Sequence, residues 1–257
     1  IYFFMCVISE NDDCLFILFI YIICIKFIYK VILCGLNKMH NTVQNLVKIE
    51  KNIQSNLSDL NINNQTKIIA VSKTFSIEKI LPLIHHGHID FGENKVQEAV
   101  DKWTDIIKKN PNIKLHMIGK LQTNKVKYAV KLFDYIHSVD NEKLARKISE
   151  EDKKINKKTK VFIQVNIGEE DQKSGLSKME VYKLVTYCKE IKLQVIGLMC
   201  IPPVNEDSTI YFKQMNELNK ELGFSELSMG MSSDYLKDSE HSATYLRIGS
   251  SIFGQRS

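Results

Sequence analysis

Two features at the ends of apolar segments could carry chemistry: one lysine and a pair of loops built from small residues. Lys73 directly follows the apolar run KIIAVS at 67–72. An amine partly removed from water at the end of a buried strand is more easily neutral, and the neutral amine is the nucleophile that condenses with a carbonyl compound. A surface lysine beside a loop is the alternative. The sequence makes Lys73 a candidate for imine chemistry.

The two loops follow the last two apolar runs and are rich in glycine and serine. SMGMSS at 228–233 includes Ser232, and RIGSSIFG at 247–254 includes Gly249 and Ser250. Small residues let backbone N–H groups approach an anion, and a serine hydroxyl can add a hydrogen bond. Ordinary turns use the same residue types. Together the two loops predict a phosphate site.

Arg247 stands where the second loop begins and extends this interpretation. A lysine that forms imines, opposite a phosphate cradle, suggests pyridoxal 5'-phosphate. Arginine stays charged and only donates hydrogen bonds. Beside the pyridine nitrogen of that cofactor it would keep the nitrogen unprotonated and weaken the electron sink. A salt bridge at a strand end explains the position of Arg247 equally well, so both interpretations stay open.

Other candidates for chemistry are weaker. His85, His86 and His88 resemble a small metal cluster but lack a matching carboxylate, so no metal site is expected. His116 lies in the middle of a predicted strand and is interpreted as a packed histidine. The basic stretch 153–160 is predicted to be a solvated helix end. A net charge of +5 over 257 residues is mild and does not indicate nucleic-acid binding.

The elements that must position these residues alternate regularly after residue 39. Short, nearly continuous apolar runs, typical of parallel strands covered on both faces, are separated by helical segments. Eight such units predict one (β/α)8 (TIM) barrel, an α/β fold with its site at the carboxyl ends of the strands. An open doubly wound sheet is the alternative, but no G-x-G-x-x-G or P-loop motif occurs. The predicted strands are 67–72, 88–92, 114–119, 134–139, 161–167, 193–199, 226–230 and 244–249.

The first 38 residues differ in composition from the remainder. The stretch 15–34 is almost entirely apolar and long enough to span a bilayer, although two lysines interrupt it. The chain begins with Ile1 rather than methionine, so a membrane anchor, a targeting leader and an artefact of the reading frame all remain open. We predict an apolar leader at 1–38 and a barrel at 39–257. No C-x-x-C motif occurs, and a reducing, cytoplasmic compartment is expected.

Several motifs occur in order from about residue 40 to the C-terminus. FGEN-x-VQE starts at residue 91, IG-x-LQ-x-NK at residue 118, and the pair MGMS and RIG-x-x-IFG at residues 229 and 247. In these motifs the chain resembles the pyridoxal phosphate homeostasis proteins, the YggS/PROSC family. The combination is highly specific, and the leader has no counterpart in that family.

The resemblance implies a fold-type III barrel that holds pyridoxal phosphate (PLP) as a Schiff base on Lys73. Arg247 would face the pyridine nitrogen, and Asn94 would lie beside the cofactor. The phosphate would be bound by Ser232, Gly249 and Ser250. The pocket would be lined by Met199 and Ser228.

The same resemblance implies a carrier that buffers or delivers PLP in vitamin B6 homeostasis, with apo-enzymes as recipients. Related racemases use a second, β-rich domain to supply a catalytic tyrosine across a dimer, and no such domain follows Ser257. We therefore expect a monomer without efficient racemase activity and with no assigned catalytic residue. An amino-acid racemase or another fold-type III PLP enzyme is the alternative. A further alternative is a barrel enzyme that acts on a phosphorylated metabolite without PLP. The two phosphate loops alone are consistent with it.

Overall fold

The strands of the described chain form a closed parallel barrel. A computed structural model describes residues 39–255, apart from 63–64, 171, 204–205 and 232–234. Its strands follow one another around the barrel in sequence order, and the last pairs with the first. The predicted (β/α)8 fold is confirmed. The strands are β1 (Lys67–Val71), β2 (Asp90–Glu93), β3 (Lys114–Met117), β4 (Tyr135–Val139), β5 (Lys160–Val165), β6 (Val195–Cys200), β7 (Glu226–Ser228) and β8 (Tyr245–Ile248).

Helices connect successive strands, as parallel neighbours require. Several begin at clear signals: the Asn141 side chain accepts a hydrogen bond from the Leu144 N–H at 2.8 Å, and Glu180 accepts one from the Ser177 N–H at 2.9 Å. A 3₁₀ turn precedes α4. The helices are α1 (Asn41–Asp59), α2 (Ile77–His85), α3 (Val96–Lys109), α4 (Val126–Leu132), α5 (Glu142–Ile155), α6 (Lys178–Glu190), α7 (Ser208–Glu221), α8 (Tyr235–Glu240) and α9 (Ser250–Phe253).

The apolar side chains form two separate clusters because successive residues of a strand face opposite sides. Ile68 and Ala70 of β1 belong to the large cluster between the strands and the helices, whereas Ile69 belongs to the small one. The small cluster fills the barrel interior and consists of Ile69, Tyr135, Phe162, Met199 and Tyr245. A barrel of eight strands is narrow enough for such side chains to fill it. The interior is therefore a packed core beneath the strand ends.

The predicted element boundaries differ slightly from the observed ones. Most predicted strands extend too far at their carboxyl ends, so that Gly119, Asn166 and Gly230 lie in the loops that follow. The short helix α9 was not predicted, because its first residues are the serines of an apparent turn. The predicted leader at 1–38 lies outside the described residues. Among the residues that the structure describes, no helix is both long enough and apolar enough to cross a membrane.

Candidate functional site

The predicted site residues that the structure describes lie toward one end of the barrel, because all eight strands run in the same direction. Lys73 follows β1 and Asn94 follows β2, and both are half-buried. Gly249 is buried directly after β8, whereas Ser250 is exposed as the first residue of α9. Ser232 lies outside the described residues. The remaining predicted residues are the buried Met199, Ser228 and Arg247.

Two close backbone approaches fix the loops at this end. A Cβ atom at Gly119 would lie 2.4 Å from the backbone oxygen of Asn94, so the loop after β3 packs directly on Asn94. A Cβ at Gly249 would lie 3.4 Å from the Cβ of Val71. The loop after β8 therefore lies against the end of β1, two residues before Lys73. At Gly119 this packing requires glycine, whereas a Cβ at Gly249 would make an ordinary contact.

The guanidinium of Arg247 is held by groups at the ends of β6 and β7. Its Nη1 donates to the Ser228 Oγ at 2.7 Å, and its Nη2 donates to the Cys200 backbone oxygen at 2.8 Å. Met199 pairs with Ser228 in the register of β6 and β7, so it lies beside these contacts. Arg247 is only 7% exposed, and both hydrogen bonds restrict its planar head group. The head group is therefore buried and held by these two acceptors.

A chain of hydrogen bonds runs from Arg247 through the barrel interior. The Ser228 Oγ lies 2.8 Å from the His137 Nδ1. The His137 Nε2 lies 3.0 Å from the His116 Nδ1, and the His116 Nε2 lies 3.0 Å from the Asp90 Oδ1. Ser228 and both histidines have no exposed surface. This interior chain joins a cation at the carboxyl ends of the strands to a carboxylate at the start of β2.

The chemical groups at the two ends of the interior chain determine which atom donates in each of its hydrogen bonds. Burial lowers the pKa of His116 despite the opposing effect of Asp90, and burial, His116 and the Arg247 charge hold the pKa of His137 well below its usual value. Both imidazoles are therefore neutral. Because a carboxylate only accepts, the His116 Nε2–H donates to Asp90. The His137 Nε2–H then donates to His116, and the Ser228 hydroxyl donates to His137.

Acidification should destabilise the fold through these two histidines. Unfolded imidazoles take up protons below a pH of about 6.5, whereas the buried ones, with lowered pKa values, do not. Unfolding then consumes protons, so the free energy of unfolding falls as the pH drops from 7 to 5. Each histidine contributes at most about 1.4 kcal/mol per pH unit. Urea unfolding at both pH values measures this slope, which His137→Gln should reduce. Equal slopes in wild type and His137→Gln would contradict the assignment.

The interior chain was largely missed by sequence reasoning. The interpretation of His116 as a packed histidine is right about burial but omits its hydrogen bonds to Asp90 and His137. A usable signal existed, since His116 and His137 stand on adjacent predicted strands at positions that face the interior. The three clustered histidines 85, 86 and 88 do not form a ligand set. Across the described ranges, no group of three histidines, cysteines or acidic residues could hold a metal ion.

The fold and site define the chain as an alanine-racemase-type barrel. The sequence profile of the family described as "Alanine racemase, N-terminal domain" matches residues 45–257. A solved alanine racemase from Clostridium difficile superposes with a TM-score of 0.63 at 17% identity, over 84% of this chain and 56% of that chain. At this identity the likeness concerns the fold alone.

Relatives of higher identity define the family. Pyridoxal phosphate homeostasis proteins from Pasteurella multocida and Bos taurus are each 36% identical, over 83% and 75% of this chain and 97% and 78% of their own lengths. PipY of Synechococcus elongatus, solved with PLP bound, is 31% identical with a TM-score of 0.70, over 79% of this chain and all of its own. The chain belongs to the family of pyridoxal phosphate homeostasis proteins, which confirms the resemblance seen in its motifs.

Proposed function

We propose that the protein binds PLP at the carboxyl ends of the barrel strands, holds it covalently on Lys73, and buffers or delivers it in vitamin B6 homeostasis. One observation carries this proposal: a half-buried lysine and a buried arginine stand at the same end of neighbouring strands. Arg247 pairs with Ile69 in the register of β8 and β1, and Lys73 continues β1 beyond Ile69. The related PipY has been solved with PLP bound, which supports PLP as the ligand.

The residues present fit the three chemical groups of PLP. When bound, PLP supplies an aldehyde that condenses with an amine, and Lys73 offers that amine at the pocket edge. The small residues Gly249 and Ser250 offer backbone and hydroxyl donors to the phosphate. Ser232 is proposed to contribute a second hydroxyl. Asn94 would lie beside the ring.

Arg247 is proposed to face the pyridine nitrogen. As a donor that does not give up its proton, it would leave that nitrogen unprotonated and weaken electron withdrawal by the ring. The interior chain supports this role, because its neutral histidines and the Asp90 carboxylate stabilise the charged guanidinium. A site of this kind holds the cofactor better than it uses it.

A carrier also needs recipients, and we propose apo-enzymes that require PLP. We place the carrier in the cytoplasm, a reducing compartment, since the buried Cys188 and Cys200 form no disulfide in the described chain. Monomeric PLP-loaded protein mixed with an apo-enzyme should restore the activity of that enzyme. Failure of any transfer would limit the role to storage.

Peptide mapping tests the attachment itself. Purified full-length protein is incubated with PLP, reduced with borohydride and digested, and the modified peptides are identified by mass spectrometry. We expect a single major adduct on Lys73, accompanied by a visible absorption band before reduction. An adduct distributed over exposed lysines such as Lys95 and Lys120, with none on Lys73, would overturn the proposal.

A further inference from the structure

The turn that carries Lys73 has an unfavourable backbone conformation. Thr74, the next residue, has a φ of 67°, in the left-handed region. This region is sparsely populated by residues other than glycine and is most unfavourable for β-branched ones. Such a conformation persists only where neighbouring contacts hold it. Helix α3 supplies two such contacts, beside the turn's own hydrogen bond from the Phe75 N–H to the Ser72 oxygen at 3.2 Å.

Two side chains of α3 bind the peptide groups on either side of Lys73. The Thr74 N–H donates to the Glu98 Oε1 at 2.6 Å. The Lys102 Nζ donates to the Ser72 backbone oxygen at 2.9 Å. The Lys102 contact holds the peptide group that precedes Lys73, and the Glu98 contact holds the peptide group that follows it. Together they fix the direction in which the Lys73 side chain leaves the backbone.

The ammonium of Lys102 joins these contacts into one network. Besides Ser72, it donates to the Glu93 Oε1 and to the Glu98 Oε1, each at 3.0 Å. An ammonium has three donors, and these three acceptors account for all of them. Glu93 is fully buried, and its Oε1 also accepts from the Ser72 Oγ at 2.8 Å and the Trp103 Nε1 at 2.9 Å. The network thus connects the turn to the packed side of α3.

An ordinary ion pair on the same helix provides the comparison. Lys108 and Asp105 are 70% and 83% exposed and form an ion pair at 2.9 Å. Such exposed pairs contribute little. Lys102 is 11% exposed, so its ammonium is held by protein groups rather than by water. This difference in burial marks the Glu98–Lys102 pair as part of the site's support.

We propose that Glu98 and Lys102 are positioning residues that hold the turn at Lys73 in the conformation required for covalent attachment of PLP. The inference rests on the proposed function, because it assigns a purpose to the fixed direction of Lys73. Glu98 and Lys102 themselves do not react. They act through the backbone of Ser72 and Thr74.

The protonation of Glu98 agrees with this arrangement. Burial raises the pKa of its carboxyl group, but the hydrogen bonds from the Thr74 N–H and Lys102 outweigh that effect, so the pKa lies below its usual value. Glu98 is therefore a carboxylate at neutral pH. A charged acceptor forms a stronger hydrogen bond to a backbone N–H than a neutral one does.

Three variants of Glu98 separate positioning from simple stabilisation. Glu98→Ala removes the acceptor, and Glu98→Asp keeps the charge but shortens the side chain by one methylene, so both lose the contact with Thr74. Glu98→Gln keeps an oxygen at the same reach and should rescue most of the effect. Asp105→Ala, on the exposed pair of the same helix, is the matched control. Glu98→Asp perturbs folding less than Glu98→Ala does and decides the matter if Glu98→Ala does not fold.

The first readout needs no cofactor. Amide hydrogen exchange of Thr74 in full-length protein should be at least tenfold faster in Glu98→Ala and Glu98→Asp than in wild type. It should change less than twofold in Asp105→Ala. Unchanged exchange at Thr74 in both Glu98→Ala and Glu98→Asp would overturn the proposed contact.

The second readout is the fraction of bound PLP that borohydride fixes on Lys73. We expect at least a threefold decrease in Glu98→Ala and Glu98→Asp, recovery in Glu98→Gln and no change in Asp105→Ala. A merely structural role would lower the melting temperature without changing this fraction. If wild type forms the adduct and these variants form it equally, the positioning role is wrong. If wild type forms no adduct, the proposed function fails, and the positioning role fails with it, whereas the exchange measurement still tests the contact.

Discussion

Lys73→Ala should abolish the borohydride-fixed adduct completely. Alanine keeps the Cβ and the backbone contacts of the turn but has no amine, so no covalent bond to PLP can form at this position. Cofactor that remains would be held by non-covalent contacts alone, and we expect its affinity to fall at least about tenfold, equivalent to about 1.4 kcal/mol. Equilibrium dialysis of PLP and peptide mapping after reduction measure the two effects.

Lys120→Ala is the control for this prediction, because Lys120 is an exposed lysine in the loop after β3, at the same end of the barrel. It should retain the full adduct. The melting temperature of each variant shows whether the fold is preserved. A Lys73→Ala protein that still gives one specific adduct of wild-type yield would place the attachment on a different residue and refute our assignment.

Among the substitutions proposed here, Arg247→Met should cause the largest decrease in the free energy of unfolding. Methionine keeps much of the apolar length, but it cannot donate to the Ser228 Oγ or to the Cys200 oxygen. Each buried acceptor left without its donor costs about 1–3 kcal/mol, so the total loss is about 2–6 kcal/mol. Removing the guanidinium also removes one of the effects that lower the pKa of His137. Urea unfolding at neutral pH measures the change in free energy.

The controls for this variant use a second arginine and a conservative change. Arg146 is exposed, and its Nε donates to the Tyr187 hydroxyl at 2.8 Å, so Arg146→Met should cost no more than about 0.5 kcal/mol. Arg247→Lys retains a charge but has no planar fork, and it should recover only part of the stability. A loss below about 1 kcal/mol in Arg247→Met would show that the two contacts are not essential to the interior.

Sequence periodicity was sufficient for the architecture because parallel strands and their covering helices leave separate, strong patterns. Each of the eight predicted strands overlaps an observed one, from β1 at Lys67–Val71 to β8 at Tyr245–Ile248. The predicted strands overran at their ends because apolar residues continue into the loops. Ile118 and Ile167, for example, are half-buried residues that follow β3 and β5. The motifs in these loops were sufficient to identify the family.

The polar interior could not be predicted in the same way. His137 and Ser228 are 91 positions apart, and they meet only because closure of the barrel brings the inward side chains of β4 and β7 together in its interior. Periodicity shows that a side chain points inward, but the stagger of the strands decides which inward side chains share a level. The hydrogen-bonded order from Asp90 to Arg247 follows from that stagger.

By itself, the sequence determined a (β/α)8 barrel, its family, and the presence of Lys73 and Arg247 at strand ends, because these depend on local pattern and motif. Only the tertiary structure decided what holds those two residues in place. Glu98 and Lys102 reach the turn at Lys73 from a helix, and Arg247 is held by Ser228 and the Cys200 backbone. Contacts of this kind join distant segments, and they are set by closure of the barrel and packing of its helices.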